Sequence, residues 1–196
     1  MERYRLQQTG GRVDSLNLSN PYRDDLDSDD GTLHALGGEI NPSLLVLKDL
    51  MYLDLSMNNF GGVQLPSFMG SLEKMTYLNL SGASFGGVIP PNLGNLSRLL
   101  YLDLSNNAIE SDLRWLPSLS SLKFLNLGGA QLIKATAYWL PIVNMLPSLV
   151  ELHLPGCELS ILPLTLPRIN FTSLSVLDLS TNGFQLHTIS LVVQSD

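Results

Sequence analysis

Cysteine occurs once in these 196 residues, as Cys157, so no internal disulfide can staple the chain and its thiol content marks no compartment. Cations are also scarce. Eleven lysines and arginines stand against eighteen acids, a formal charge of −7, and they are too scattered to build the clustered basic surface that nucleic acid requires. The three histidines, His34, His153 and His187, are far apart in the chain. HExxH, GxSxG, a phosphate loop and paired cysteines are all missing, so no catalytic residue, metal site or cofactor is expected. Long apolar runs are absent too. The stretch from Leu132 to Leu146 is interrupted by Lys134 and falls short of the roughly 20 residues of a membrane span. The opening MERYRLQQTGGR holds no apolar core of a signal peptide, so the chain as written reads as soluble and without an address. Asp24, Asp25, Asp27, Asp29 and Asp30 read as a solvated acidic loop, since no spaced ligand pattern for calcium accompanies them.

Leucine, by contrast, is placed with a rhythm. The phrase Leu-x-x-Leu-x-Leu occurs at Leu50-Leu53-Leu55, Leu99-Leu102-Leu104, Leu122-Leu125-Leu127, Leu149-Leu152-Leu154 and Leu174-Leu177-Leu179, with looser copies at Val13-Leu16-Leu18 and Met75-Leu78-Leu80. The central leucines Leu16, Leu53, Leu78, Leu102, Leu125, Leu152 and Leu177 follow at steps of 37, 25, 24, 23, 27 and 25 residues. All but the first step fall in the range of about 20 to 29 residues of leucine-rich repeats. The predicted fold is an α/β repeat, a leucine-rich-repeat solenoid of about seven copies. A curved parallel sheet forms its concave side and short helical or 3-10 turns its convex side.

Alternation along each short strand sends Leu102 and Leu104 to the core and Tyr101, Asp103 and Ser105 to solvent. Three residues after the last leucine comes a closing position, occupied by Pro21, Asn58, Ala83, Asn107, Ala130, Cys157 and Asn182. An asparagine there can satisfy backbone groups exposed by an inward turn, whereas the alanine copies must find those hydrogen bonds elsewhere. Cys157 reads as a buried structural thiol in this column, and His153, four residues earlier, points to the opposite face.

Two columns of outward residues are the candidate binding surface. The first reads Ser15, Tyr52, Tyr77, Tyr101, Phe124, Glu151 and Val176, four aromatics on adjacent strands. The second reads Asn17, Asp54, Asn79, Asp103, Asn126, His153 and Asp178. A protein or peptide partner would meet Tyr52, Asp54, Tyr77, Asn79, Tyr101, Asp103, Phe124, Asn126 and His153, although the same rings could equally pack on one another to stiffen the sheet. Glycan acceptors occur at Asn17, Asn79, Asn95 and Asn170, the first two on the concave side. Residues 135–140, before Pro141, suggest one helical turn, and Trp115 and Trp139 read as convex-side packing.

Between strands lies a second phrase: GGEINPSLLVL from Gly37, GGVQLPSFMGSL from Gly61 and GGVIPPNLGNL from Gly86. Its alternation with LxxLxLxxN resembles the leucine-rich repeats of plant receptor kinases and receptor-like proteins. Residues 31–184, through LGGEINPSLLVLKDLMYLDLSMNNFGG, YLDLSNN, LRWLPSLSSLKFLNLGG and AYWLPIVNMLPSLVELHLPGCEL, resemble the N-terminal repeats of the ethylene-inducing xylanase receptor group. The resemblance implies a remnant of an N-terminal capping region at 1–12, repeats at 13–184 and a non-repeat tail at 185–196. Within that tail Ile189–Val193 is short, β-prone and uncharged, and favours aggregation unless it covers the last repeat. The family's signal peptide and cysteine-bearing caps are expected to be missing.

It also implies a ligand-recognition ectodomain fragment of a plasma-membrane receptor that lacks its own kinase. Such a receptor detects microbial elicitors and signals in defence through a partner receptor kinase. A soluble inhibitor of a wall-degrading enzyme, a cytoplasmic scaffold and a non-functional truncated product are the other readings.

Overall fold

The computed structural model describes residues 5–9, 11–21, 34–162, 170 and 172–184, with the backbone alone at 5–9. The acidic segment 24–30, His187 and the stretch 189–193 lie outside the described residues. Among the described residues there are ten strands: β1 Arg5–Thr9, β2 Arg12–Asn17, β3 Tyr52–Asp54, β4 Tyr77–Asn79, β5 Gly86–Val88, β6 Tyr101–Asp103, β7 Ala108–Glu110, β8 Phe124–Asn126, β9 Glu151–His153 and β10 Val176–Asp178. Eight of them form one sheet in the order β1-β2-β3-β4-β6-β8-β9-β10.

From β2 onward this sheet is parallel and in register. Leu16, Leu53, Leu78, Leu102, Leu125, Leu152 and Leu177 pair in one row, as the leucine phase requires. Leu53, Leu78, Leu102 and Leu125 have no exposed surface, whereas Leu177, on the last described strand, is 49% exposed. Each fully covered leucine contributes about 1.5 to 3 kcal/mol. The chain is thus a leucine-rich-repeat solenoid.

Two elements go beyond the repeat phrase. β1 pairs antiparallel with β2, with a bulge between Gln7 and Gln8, and so covers an edge that would otherwise offer unpaired backbone groups. β5 and β7 form a second, two-stranded parallel ladder, extended by bridges from Gln64 to Gly86 and from Glu110 to Gln131. It runs beside the main sheet, where the chain leaves each strand for the convex side.

The convex side is built of 3-10 turns at Pro42–Val46, Ser67–Ser71, Pro91–Asn95 and Leu116–Ser118. They stack so closely that a Cβ on Gly70 would overlap the carbonyl oxygen of Asn92, and one on Gly94 would lie 2.8 Å from that of Trp115. Glycine is required there for approach of backbone to backbone. The helical turn expected over 135–140 is instead a 3-10 turn at Ile133–Ala135 and a short α-helix at Trp139–Val143. Pro141 lies inside that helix; in the first turn its missing N–H has no intrahelical partner to lose.

After each strand the chain turns inward through one left-handed residue. Met57, Gly82, Asn106, Gly129, Gly156 and Thr181, each just before the closing position, all have φ between 55° and 80°. Asn58, Asn107 and Asn182 hold these turns from within. Asn107 Nδ2 donates to the carbonyls of Leu80 (2.8 Å), Leu104 (3.0 Å) and Ser105 (3.0 Å), while its Oδ1 accepts from the N–H of Phe85 at 2.8 Å. Asn58 serves Leu18 and Leu55 in the same way, and Asn182 serves Leu154 and Leu179.

Each asparagine therefore covers the terminal leucine carbonyl of its own repeat and of the one before. That is how the alanine copies find their hydrogen bonds: the carbonyl of Leu80, in the Ala83 copy, is covered by Asn107 of the next. Leu127, in the Ala130 copy, is served by the thiol of Cys157 at 3.2 Å and by the N–H of Ala130 at 2.9 Å. In the first copy the expected closing residue Pro21 is exposed, and Asn20 is the buried polar residue instead. Proline has no N–H and no polar side chain to offer such a turn.

A concave aromatic ladder as candidate binding site

Strand alternation places both outward columns on one face, with the leucines beneath. Tyr52 and Tyr77 stack with ring centroids 4.1 Å apart, Tyr77 and Tyr101 at 4.3 Å, and Tyr101 and Phe124 at 4.3 Å, all within 11° of parallel. His153 ends the ladder, tilted against Phe124 at 5.3 Å. The stripe expected from the sequence is thus one continuous stack. Such cross-strand pairs stiffen a sheet. Because neighbouring rings close each other's faces, ring edges and phenol hydroxyls are what the middle of the ladder offers a partner. Burial raises the phenols of Tyr52, Tyr77 and Tyr101, the latter two to about 12, so all three remain protonated near neutral pH.

The second column is tied into its own turns. Oδ1 accepts from the N–H two residues on: Asn17 from Ser19 at 3.0 Å, Asp54 from Ser56 at 2.9 Å, Asn79 from Ser81 at 3.0 Å, Asp103 from Ser105 at 2.9 Å, Asn126 from Gly128 at 3.0 Å and Asp178 from Ser180 at 2.9 Å. At Asp54 and Asp103 the serine hydroxyl donates to the same oxygen, at 2.6 and 2.7 Å. The bonds from Ser180 hold the carboxyl of Asp178 below its ordinary range.

These clamps overturn the expectation that Asp103 and Ser105 stand in solvent. Asp103 is only 8% and Ser105 only 7% exposed, because the clamp folds the carboxyl against its own turn. Between strands, Asn79 Nδ2 donates to Asp54 Oδ2 at 3.4 Å and Asn126 Nδ2 to Asp103 Oδ2 at 3.2 Å. The Asp-x-Ser and Asn-x-Ser pairs were visible in the sequence, but their role as clamps was missed.

His153 breaks the pattern for a clear reason. Two residues later stands Pro155, which has no N–H to donate. The imidazole instead faces Glu151 Oε2 at 3.4 Å and Asp178 Oδ2 at 4.0 Å.

Asn17 and Asn79 carry the clamp within their own acceptor motifs, so a glycan there would stand on the sheet face. Asn95, on a convex 3-10 turn, and Asn170 are exposed away from it. The indole N–H groups of Trp115 and Trp139 are bonded to Ser111 Oγ (3.0 Å) and the carbonyl of Ile161 (3.1 Å), and both side chains are buried. Among the described residues no helix is long and apolar enough to cross a membrane.

Cys157 is buried, and burial pushes its thiol up to about 11 from an ordinary 9.0. Iodoacetamide at pH 8 should leave the folded chain unlabelled and label it fully in urea. Fast labelling without denaturant would overturn the structural role. The unfolded thiol loses its proton first, so this stabilisation is present below pH 9 and is lost as pH rises towards 11.

The Leucine Rich Repeat family model matches residues 49–72 and 74–96. Receptor-like protein EIX1 of Solanum lycopersicum is 43% identical over 178 residues, covering 89% of this chain and 17% of that protein. The chain therefore spans about a sixth of that relative's length. Among solved structures, a TDR receptor superimposes with a TM-score of 0.65 at 29% identity, over 76% of this chain and 25% of that one. The leucine-rich-repeat ectodomain of the Arabidopsis receptor kinase HAESA, solved in complex with an IDA peptide hormone, gives 0.64 at 25% identity, over 87% and 26%.

Proposed function

Because this chain belongs to the leucine-rich-repeat receptor-like proteins of plants, we propose that its concave sheet is the recognition surface of a cell-surface receptor for a protein or peptide ligand. One observation carries the reading: the unbroken ladder Tyr52, Tyr77, Tyr101 and Phe124 beside the column Asp54, Asn79, Asp103, Asn126 and His153. Rigid aromatics lose little entropy on binding, and the parallel strands hold them at a fixed pitch. The solved HAESA complex with a peptide hormone supports a peptide as the kind of partner. In this reading the ligand is a microbial elicitor, and the defence signal passes through a separate partner kinase.

Random seven-residue peptides displayed on phage and selected on the folded chain supply the probe. Replacing Tyr77 and Tyr101 together by serine should weaken the recovered peptides about 100-fold, the scale of two interface aromatics. Circular dichroism verifies that the variant is folded. Unchanged affinity would assign the ladder to sheet stiffening alone.

A further inference from the structure

The charge of the concave face is one-sided. From β3 to β10 of the main sheet its twelve outward strand positions hold no lysine or arginine, while Asp54, Asp103, Glu151 and Asp178 spread carboxylates along the row. We propose that the partner seated on this face is a basic peptide segment lying in extended form across the strands. The proposal rests on the reading of the sheet face as the binding surface and adds the chemistry of what binds there.

Hydrogen-bonding capacity points the same way as charge. The amide oxygens of Asn79 and Asn126 are taken by the clamps to Ser81 and Gly128, and their Nδ2 groups donate to Asp54 and Asp103. The amide donors are thereby turned inward along the sheet. Asp54 and Asp103 are themselves bonded to their serines and to these amides, so what they present to a partner is negative charge, while open acceptor oxygen lies on the half-exposed carboxylates of Glu151 and Asp178 and on the hydroxyls of Tyr52, Tyr77 and Tyr101. A segment rich in N–H donors and positive charge satisfies these groups, whereas an acidic one meets like charge.

The carboxylates at Asp54 and Asp103 are largely buried, where their charge is screened less than in open water. The clamp itself does not need their charge, since asparagine makes the same clamp at positions 17, 79 and 126. Asp54→Asn and Asp103→Asn therefore remove charge while keeping the turn. Six strands about 4.8 Å apart span about 24 Å, which about seven residues of extended chain cover.

The test is the composition of the seven-residue peptides recovered on the full chain. They should be enriched in lysine and arginine, and their affinity should fall about tenfold between low and moderate salt. The Asp54→Asn/Asp103→Asn double variant should weaken them about tenfold, and Glu39→Gln/Glu73→Gln, at two exposed acids off the sheet face, less than about twofold. Neutral or acidic peptides that are lost on Tyr77→Ser/Tyr101→Ser would overturn the charge assignment and leave the concave site standing. Peptides indifferent to both tyrosines would overturn both. Basic peptides that respond equally to the two acid pairs are bound by bulk charge, and that result also overturns the proposal.

Discussion

Leu102→Ala should lower the free energy of unfolding by about 2 to 5 kcal/mol, measured by urea titration followed by circular dichroism. Leu102 has no exposed surface and sits between Leu78 and Leu125 in the paired row, so truncation opens a cavity that neighbours held at strand spacing cannot collapse to fill. A solenoid repeat touches only the repeats beside it, and the loss therefore falls on two interfaces at once. Unfolding should also broaden, as the halves on either side lose coupling. A change below about half a kilocalorie would place Leu102 outside the core and sink the strand phase on which the whole concave face depends.

Asn107→Ala should cost about 3 kcal/mol or more, although alanine is natural at the same place in two other copies. The difference is who covers the carbonyls. Asn107 serves Leu80 and Leu104 and accepts from Phe85, so its removal leaves these buried backbone groups stranded at about 1 to 3 kcal/mol each, while Ser105 keeps the N–H of Gly82. It would also place three alanines in succession, at 83, 107 and 130, with no intervening amide to share. Asn107→Cys should recover part of the loss, because Cys157 already donates to the equivalent carbonyl of Leu127. Urea unfolding should therefore rank the wild type above the cysteine variant and the cysteine variant above alanine. Equal stability of all three would show that the amide carries no share of the turn.

Much of this fold was legible in the leucines. Their step named the solenoid, and strand alternation predicted which side chains stack beneath the sheet, because burial of an apolar face depends on period alone. The aromatic column was legible for the same reason. Less legible was anything that depends on what a neighbouring repeat supplies. The burial of Asp103 and Ser105 follows from a clamp within the turn and an amide from the adjacent strand, and alternation by itself assigned both residues to solvent. The antiparallel β1 and the side ladder of β5 and β7 carry no leucine phrase, since backbone pairing alone defines them. The helix at Trp139–Val143 was placed too early because Pro141 was read as a stop, when in a first turn it costs no hydrogen bond.

For the candidate site, the sequence determined the ingredients: four aromatics on successive copies, a column of aspartate and asparagine beside them, and no lysine or arginine among either from the second copy on. Tertiary structure alone decided what these can do. Stacking at 4.1 to 4.3 Å closed the faces of the inner rings and left their edges, and the clamps turned the amide donors inward, leaving a surface of negative charge. The physical reason is that composition and period specify which groups share a face, while the spacing between neighbouring strands decides which of those groups have already satisfied one another.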